Sequence, residues 1–349
     1  MARAEGTGQL GHVETRARST QEPTGPSRLP LIFSAEAARA LGYTRDQIKR
    51  RRMSGRWVAM RRGLYTPAEQ WARFSQTAGE RYVLEILAAL HAFPRAVAGL
   101  WSAALLHGLP GPSAPLTHVH LVAADGSPRR RNGVVLNVAP LPPEHLAEDP
   151  LLRATSVART VVDLARRADP IDAVAVADTA LAQGLVARAQ LRSMLRFQSG
   201  WPGSVQAAHM VDFADPRSES PLESRSRVRF HELGIPAPEL QAELRDEAGV
   251  FVARTDFLWR DHGVIGEADG RSKYEQGIRN VLWEEKKRED AIRRLGWEVF
   301  RWTSSEIEYK PHVVAERFWR CADLAARRGA RMATHGVRDA SGRLLLYAR

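Results

Sequence analysis

Two adjacent strand-like runs constrain this chain most, because they carry acids at matched places eleven residues apart. The first run is Val252–Trp259 and contains Asp256. The second is Gly263–Asp269, contains Glu267, Ala268 and Asp269, and is closed by Gly270. Asp261, His262 and Gly263 supply turn chemistry between them, so the pair predicts a β-hairpin. Side chains alternate along a strand, so Glu267 and Asp269 share a face and the hairpin brings Asp256 beside them. Three carboxylates in a small space repel one another unless a cation lies between them. Oxygen-only ligands of this kind suit Mg²⁺. The same residues also suit a solvated strand face carrying charge, with Asp269 and Gly270 as a plain turn.

The flanks extend the pattern. Upstream, Ser220 is placed as an N-cap with Pro221 at the first helical position. Glu223 then has capping-box spacing, which sends its carboxylate back to the Ser220 amide. Downstream, Trp283–Leu295 is predicted as a helix bearing Glu285, Lys286, Arg288 and Asp290, stopped by Gly296. Trp297–Trp302 alternates as a strand. The order is helix, strand, strand, helix, strand.

Residues 215–325 resemble the PD-(D/E)xK nuclease superfamily, and most closely the very-short-patch-repair-endonuclease-like domains of unknown function common in actinobacteria. The matching pieces are Ser220–Arg225, Arg254–Phe257, Gly266–Tyr274, Glu285–Asp290 and Leu295–Trp302, in that order over about a third of the chain. The resemblance implies a restriction-endonuclease-like α/β domain over residues 211–328, with a metal at one edge of a mixed sheet. It implies hydrolysis of a nucleic-acid phosphodiester, Asp256 and Glu267 as ligands of Mg²⁺ (or Mn²⁺), and Glu223 as a helix-borne acid nearby. The superfamily signature has Lys two residues after the Glu, where this chain has Asp269. A lysine there orients water and stabilises developing negative charge. Lys286 and Lys273 are the candidates for that role; both also suit solvated positions or plain phosphate contact. A site without a lysine would keep its metal ligands but not its catalytic cation. The competing class is a non-catalytic regulator whose nuclease fold has lost activity.

A second basic element lies near the start of the chain. Ser34 is positioned to cap a short helix ended by Gly42, and Thr44 with Gln47 has capping-box spacing for the next helix. That helix runs Arg45–Met53 and stops at Ser54 and Gly55. Trp57–Tyr65 then predicts a hairpin. Between Arg45 and Arg62 there are eight basic residues and one acid. Residues 29–70 thus predict a winged helix-turn-helix, with Arg45, Lys49, Arg50 and Arg52 for the major groove and its phosphates and Arg61 and Arg62 for the backbone. A basic helix in a protein-interaction module has the same pattern. The segment resembles the winged-helix domain of abortive-infection type IV antitoxins, notably in its Arg62–Tyr65 ending. That resemblance implies transcriptional repression and a protein partner of toxin type.

Net charge is +11 over 349 residues, which supplies the sequence-independent part of DNA affinity. The single cysteine, Cys321, excludes an intramolecular disulfide framework and a cysteine-cluster zinc site. Residues 1–28, rich in Gly, Thr, Arg and Pro, predict a disordered arm without a signal-peptide core. No apolar run approaches a membrane span, so the expected location is the cytoplasm. Residues 72–198 predict an α+β domain, with strands near Thr117–Val122 and Val134–Val138, a basic turn at Ser127–Gly133, and helices near 155–168, 172–183 and 187–196, and it resembles the α+β segment that follows the winged helix in antitoxin-like proteins. Within it His118 and His120 share a strand face and predict a solvent-facing pair, and Arg159 with Asp163 predicts an i, i+4 ion pair. Gly200, Pro202 and Gly203 predict a linker over 199–216, and residues 329–349 a C-terminal tail. The expected class is a multidomain α/β and α+β protein acting on DNA; its oligomeric state is left open.

Overall fold

The first unit begins with β1 (Phe33–Ser34), which runs straight into α1 (Ala35–Ala40). The Ser34 hydroxyl accepts the Ala37 amide at 3.0 Å and fixes that start. Gly42, at φ +90°, turns the chain toward Thr44. Thr44 and Gln47 then form a reciprocal capping box, with bonds of 3.2 and 2.8 Å, and open α2 (Arg45–Met53). β2 (Trp57–Arg61) and β3 (Leu64–Pro67) pair antiparallel, and the sheet order is β1-β3-β2. Ile48 is the one buried residue of α2, and it joins Phe33, Ala38, Trp57 and Tyr65 in a small aromatic core.

The computed structural model describes residues 29–149, 151–246, 248–270, 287–328, 337–338 and 344–345. The predicted arm at 1–28, both candidate lysines Lys273 and Lys286, and most of the predicted tail lie outside the described residues. The chain is a mixed α/β protein, with three sheets among the described residues, divided into units at residues 1–73 and 74–349. Among the described residues no helix is long and apolar enough to cross a membrane.

After α3 (Ala68–Phe74), the second unit contains α4 (Ala78–Ala92), β4 (Val97–Ala98), α5 (Leu100–Leu106), β5 (Val119–Ala123), β6 (Arg129–Arg131) and β7 (Val134–Val138). The four strands are ordered β4-β5-β7-β6. Here the expected basic turn is replaced by a strand. Arg129–Arg131 pairs antiparallel with β7 around Asn132 and Gly133, whose φ values of +51° and +71° are the two positive angles of a type I′ hairpin. The Asn-Gly pair was the available signal. With β6 taking the hairpin edge, β5 and β7 run parallel.

Four helices follow: α6 (Val157–Arg167), α7 (Pro170–Ala182), α8 (Arg188–Phe197) and α9 (Ser204–Phe213). Helix α9 occupies the predicted linker, and its Ala207 and Val211 are buried in the helical core. The Gly and Pro residues there make a close crossing rather than a flexible joint. Gly203 has φ +82°, and a Cβ on it would lie 2.2 Å from the Arg166 carbonyl oxygen. Arg166 donates to the Pro202 carbonyl at 2.8 Å, to Gln198 at 3.1 Å and to Asp163 at 3.2 Å. The predicted Arg159–Asp163 pair forms at 2.7 Å, and both arginines lie over the Trp201 ring. Buried charges of this kind persist because each is paired and hydrogen-bonded.

The rest of the unit comprises α10 (Pro221–Glu232), β8 (Glu239–Arg245), β9 (Phe251–Trp259), β10 (Val264–Asp269), β11 (Glu298–Thr303), α11 (Ser304–Tyr309), α12 (Pro311–Arg327), β12 (Val337–Arg338) and β13 (Leu344–Leu345). Residues 287–294 are helical. The strands form one sheet ordered β11-β10-β9-β8-β12-β13, in which only the β10–β11 pair is parallel. The β9–β10 hairpin is as predicted. Strand β8 was not, although Leu240, Ala242 and Leu244 alternate and are buried. Its Glu, Gln and Arg positions disguise a strand under β-propensity. Two pieces of the predicted tail extend the far sheet edge.

Gly266 is required where it stands. A Cβ on it would lie 2.7 Å from the Trp302 ring and 2.8 Å from the Trp259 ring, both buried in the aromatic core with Phe230, Phe257, Phe300 and Phe318. Gly266→Ala is expected to lower stability by about 1–3 kcal/mol, the ordinary cost of overpacking. Urea unfolding of the variant beside the parent chain measures it.

Candidate functional site

Four consecutive strands of the larger sheet, β8, β9, β10 and the edge strand β11, set Gln241, Asp256, Glu267 and Arg301 in one row. Leu240 faces Phe257 and Ala242 faces Thr255, which puts Gln241 opposite Asp256. Gly266 faces Phe257, so the next position sets Glu267 beside Asp256. There the ladder gives way, and the Asp256 carboxylate accepts the Ala268 amide through Oδ2 at 2.9 Å. Glu267 faces Arg301 across the parallel pair.

Glu267 is 4% exposed and held between two guanidinium groups. Arg301 contacts Oε2 at 2.7 Å, and Arg288, from the helix at 287–294, contacts Oε1 at 2.8 Å. Arg301 also reaches Asp269 at 3.6 Å and Glu289 at 3.5 Å. The Asp256 Oδ1 oxygen accepts no hydrogen bond among the described residues.

Glu223 reaches the same place from the start of α10. The predicted cap forms with a changed partner: its Oε2 accepts the Glu219 amide at 2.9 Å, where the Ser220 amide was expected, and its Oε1 accepts the Ser220 hydroxyl at 2.7 Å. Gln241 donates to Oε2 at 2.9 Å. Burial pushes the Glu223 carboxyl up, and the neighbouring Asp256 charge pushes it further in the same direction. Gln241 makes its contact from a left-handed backbone, φ +54°, inside a strand. Such a conformation costs a non-glycine residue of order 1 kcal/mol. Since both Glu223 oxygens serve the cap, Glu223→Ala is expected to lower stability by about 1 kcal/mol, read by thermal unfolding.

These groups border a cleft of about 760 Å³ that exposes Glu223, Gln241, Asp256, Arg254 and Arg288. Glu267 lies behind Arg288 rather than on the cleft wall. Among the described residues no group of three or more His, Cys, Asp or Glu side chains is arranged to hold a metal ion. Lys273 and Lys286 fall outside the described residues; Arg288 and Arg301 are cations that contact Glu267. Arg301 was not singled out in the sequence, because the parallel neighbour of β10 comes from beyond a long crossover.

In the first unit, Arg45, Lys49, Arg50 and Arg52 are exposed along α2 and Arg62 is exposed at the hairpin turn, with Arg61 half-buried. Arg52, Arg61 and Arg62 line a common cavity of about 320 Å³. Arg52 lies over the Tyr65 ring at 5.3 Å, and Arg51 packs over Tyr43 and Trp57. The helix therefore presents its basic side outward while two of its arginines are ordered by aromatic rings.

No family model matches the chain. The uncharacterized protein Rv2248 of Mycobacterium tuberculosis (strain ATCC 25618 / H37Rv) is 31% identical over 254 residues, which span 72% of this chain and 91% of that protein. This chain belongs to its family. The uncharacterized protein MT2308 of M. tuberculosis (strain CDC 1551 / Oshkosh) matches to the same extent. The matched length exceeds residues 211–328 alone, so the family shares more than the segment that holds the acid row.

Proposed function

We propose that this protein binds DNA through its basic N-terminal unit and hydrolyses a DNA phosphodiester at the acid cleft of its C-terminal sheet. In this reading residues 29–70 are a winged helix-turn-helix of the antitoxin-like kind. Residues 211–328 are a restriction-endonuclease-like domain of the PD-(D/E)xK type. The carrying observation is the row of Asp256 and Glu267 on adjacent strands, with Glu223 and Arg288 at the same cleft.

The donor set fits a hard divalent cation. It offers carboxylate oxygens only, and among the described residues no hydrogen bond occupies Oδ1 of Asp256, a residue of the cleft wall. Asp256 and Glu267 would hold Mg²⁺ or Mn²⁺, in competition with the Arg288 guanidinium for Glu267. A bound metal would lower the pKa of a water and polarise the phosphoryl oxygen. The chain's own residues do the rest. Arg301 holds the Glu267 carboxylate in place. Arg288, at the cleft mouth, is suited to meet a phosphate oxygen and takes the charge-stabilising role that the motif assigns to a lysine. Glu223 and Gln241 hold the start of α10 against the row.

The second reading is a regulator of antitoxin type, with a toxin-type protein partner and an inactive nuclease fold. The observation that favours it is the Arg288–Glu267–Arg301 bridge, which compensates the buried carboxylate without a metal. A plasmid-nicking assay with Mg²⁺ or Mn²⁺ against EDTA separates the two. The hydrolytic reading expects nicked circles with metal and none with EDTA. Supercoiled plasmid left intact at every metal concentration would leave the regulator.

A further inference from the structure

One face of the four-stranded sheet is sealed. Val119, Leu121, Val134 and Leu136 are buried with Ile86 and Leu90 of α4 and Ala103 of α5. The residues that alternate with them, His118, His120, Val135 and Asn137, lie on the other face. His120, Val135 and Arg130 stand opposite one another on β5, β7 and β6.

That second face is basic and cross-linked by its own donors. Arg130 donates to the His118 Nε2 atom at 3.1–3.2 Å. A guanidinium is always charged, so His118 Nε2 is the acceptor and Nδ1 carries the proton, which it donates to Thr117 Oγ1 at 2.8 Å. Arg167, at the last turn of α6, donates to Asn137 Oδ1 at 2.9 Å. Neither Arg130 nor Arg167 has a carboxylate partner among the described residues. Burial, with the charges of Arg167 and Arg130, brings the His120 pKa down to about 4. His120 is thus neutral at pH 7 in a positive field.

Folding alone does not account for this set. Charged residues on β6 can protect a sheet edge from pairing. Edge protection does not explain why α6 delivers Arg167 onto Asn137, or why one imidazole sits on the inner strand β5 and another directly before it. Three adjacent arginines on β6 are all exposed, and none of them forms an ion pair among the described residues.

We propose that this sheet face binds the phosphodiester backbone of DNA, with Arg130 and Arg167 each donating to one phosphate and His118 and His120 forming the floor between them. Charge complementarity selects the occupant, since each cation that engages a phosphate releases condensed counterions. The site is distinct from the acid cleft and from α2. It rests on the reading of the chain as DNA-acting for its choice of polyanion.

The test uses the full chain, a fluorescent DNA duplex and anisotropy titrations across a series of salt concentrations. Arg130→Gln/Arg167→Gln should flatten the slope of log affinity against log salt by about 2, since each lost phosphate contact removes roughly 0.9. Arg130→Lys/Arg167→Lys keeps the charges and should restore the slope, which separates loss of contact from damage to the fold. An unchanged slope in the Gln pair, with duplex still bound, overturns this site and leaves the DNA-acting reading standing. A parent chain that binds no duplex overturns both. Inorganic phosphate that shifts the His118 imidazole signals, while the duplex slope ignores the Gln pair, marks a small-anion site and also overturns the proposal.

Discussion

Asp256→Asn is expected to reduce metal-dependent nicking at least about a hundredfold, with little change in melting temperature. Even removing an outer partner of a metal ligand costs about 10–100-fold, so losing a direct ligand should cost at least that. Asn can still accept the Ala268 amide, so the ladder end that Asp256 closes at 2.9 Å is kept. What it loses is the negative charge on a residue of the cleft wall. Glu267→Gln should be equally inactive but less benign, because it leaves Arg288 and Arg301 facing a neutral amide. Both arginines reach solvent, with side chains 37% and 27% exposed, so screening keeps that cost near 1 kcal/mol. Mn²⁺ binding followed by electron paramagnetic resonance should weaken in both variants. Full nicking by Asp256→Asn would move the chemistry away from this row.

The parts of the fold written in local signals were legible. The Thr44–Gln47 box, the Ser220-Pro221 helix start and the Asp256–Glu267 hairpin each depend on residues a few positions apart. What was missed depends on distant partners. Arg301 meets Glu267 only because β11 lies parallel to β10, a pairing no short spacing encodes. Gln241 hides in a strand whose polar residues mimic a loop. The expected linker misled because Gly203 and Pro202 serve a tight crossing against Arg166, and glycine reads the same whether it gives freedom or close approach. The Arg129–Arg131 strand was masked by its charge, although the Asn-Gly pair beside it marked the hairpin.

The lysines expected near the Glu267 carboxylate, Lys286 and Lys273, lie outside the described residues, and the cations seen there, Arg288 and Arg301, carried no local signal. A motif lysine two residues after the glutamate is a local pattern, and its absence at Asp269 is plain. Compensation by arginine from a neighbouring strand and a helix is tertiary. The same geometry supports both functional readings, since a guanidinium that neutralises a carboxylate in one state can meet a phosphate in another. Only the place of Asp256 on the cleft wall and the position of Arg288 at the mouth tilt the balance toward hydrolysis.

The largest stability effect is expected from Arg227→Met, at the joint that holds α10 and hence the cleft. Asp178 on α7 has a fully buried side chain and accepts Arg227 Nη1 at 2.7 Å and the Asp215 amide at 2.7 Å. Arg227 also donates to the Phe213 carbonyl at 2.6 Å and lies over the Phe213 ring. Met keeps the packing of the alkyl stem and removes the charge, leaving a buried carboxylate without its partner. Removing one member of a buried pair costs about 3–5 kcal/mol. The pH dependence identifies the cause. Burial pushes the Asp178 carboxyl up from 3.8 to about 6, against the opposing pull of Arg227 and the Asp215 amide. A folded pKa above the unfolded one gives stability that is complete below about pH 4 and is lost as pH rises through 6. Over that window the parent chain loses roughly 3 kcal/mol through this group. Without Arg227 the folded pKa climbs further, so the Met variant's deficit should be small at pH 4 and grow toward pH 7. Asp178→Asn in the Arg227→Met background removes the unpaired charge and should recover most of the loss at pH 7. Urea unfolding at pH 4, 5.5 and 7 reads all three proteins. A deficit that stays constant across that range would mean that the carboxylate is not what Arg227 stabilises, and that α10 is held to α7 by the Arg225–Asp172 pair and by Ile171, Val174 and Val228.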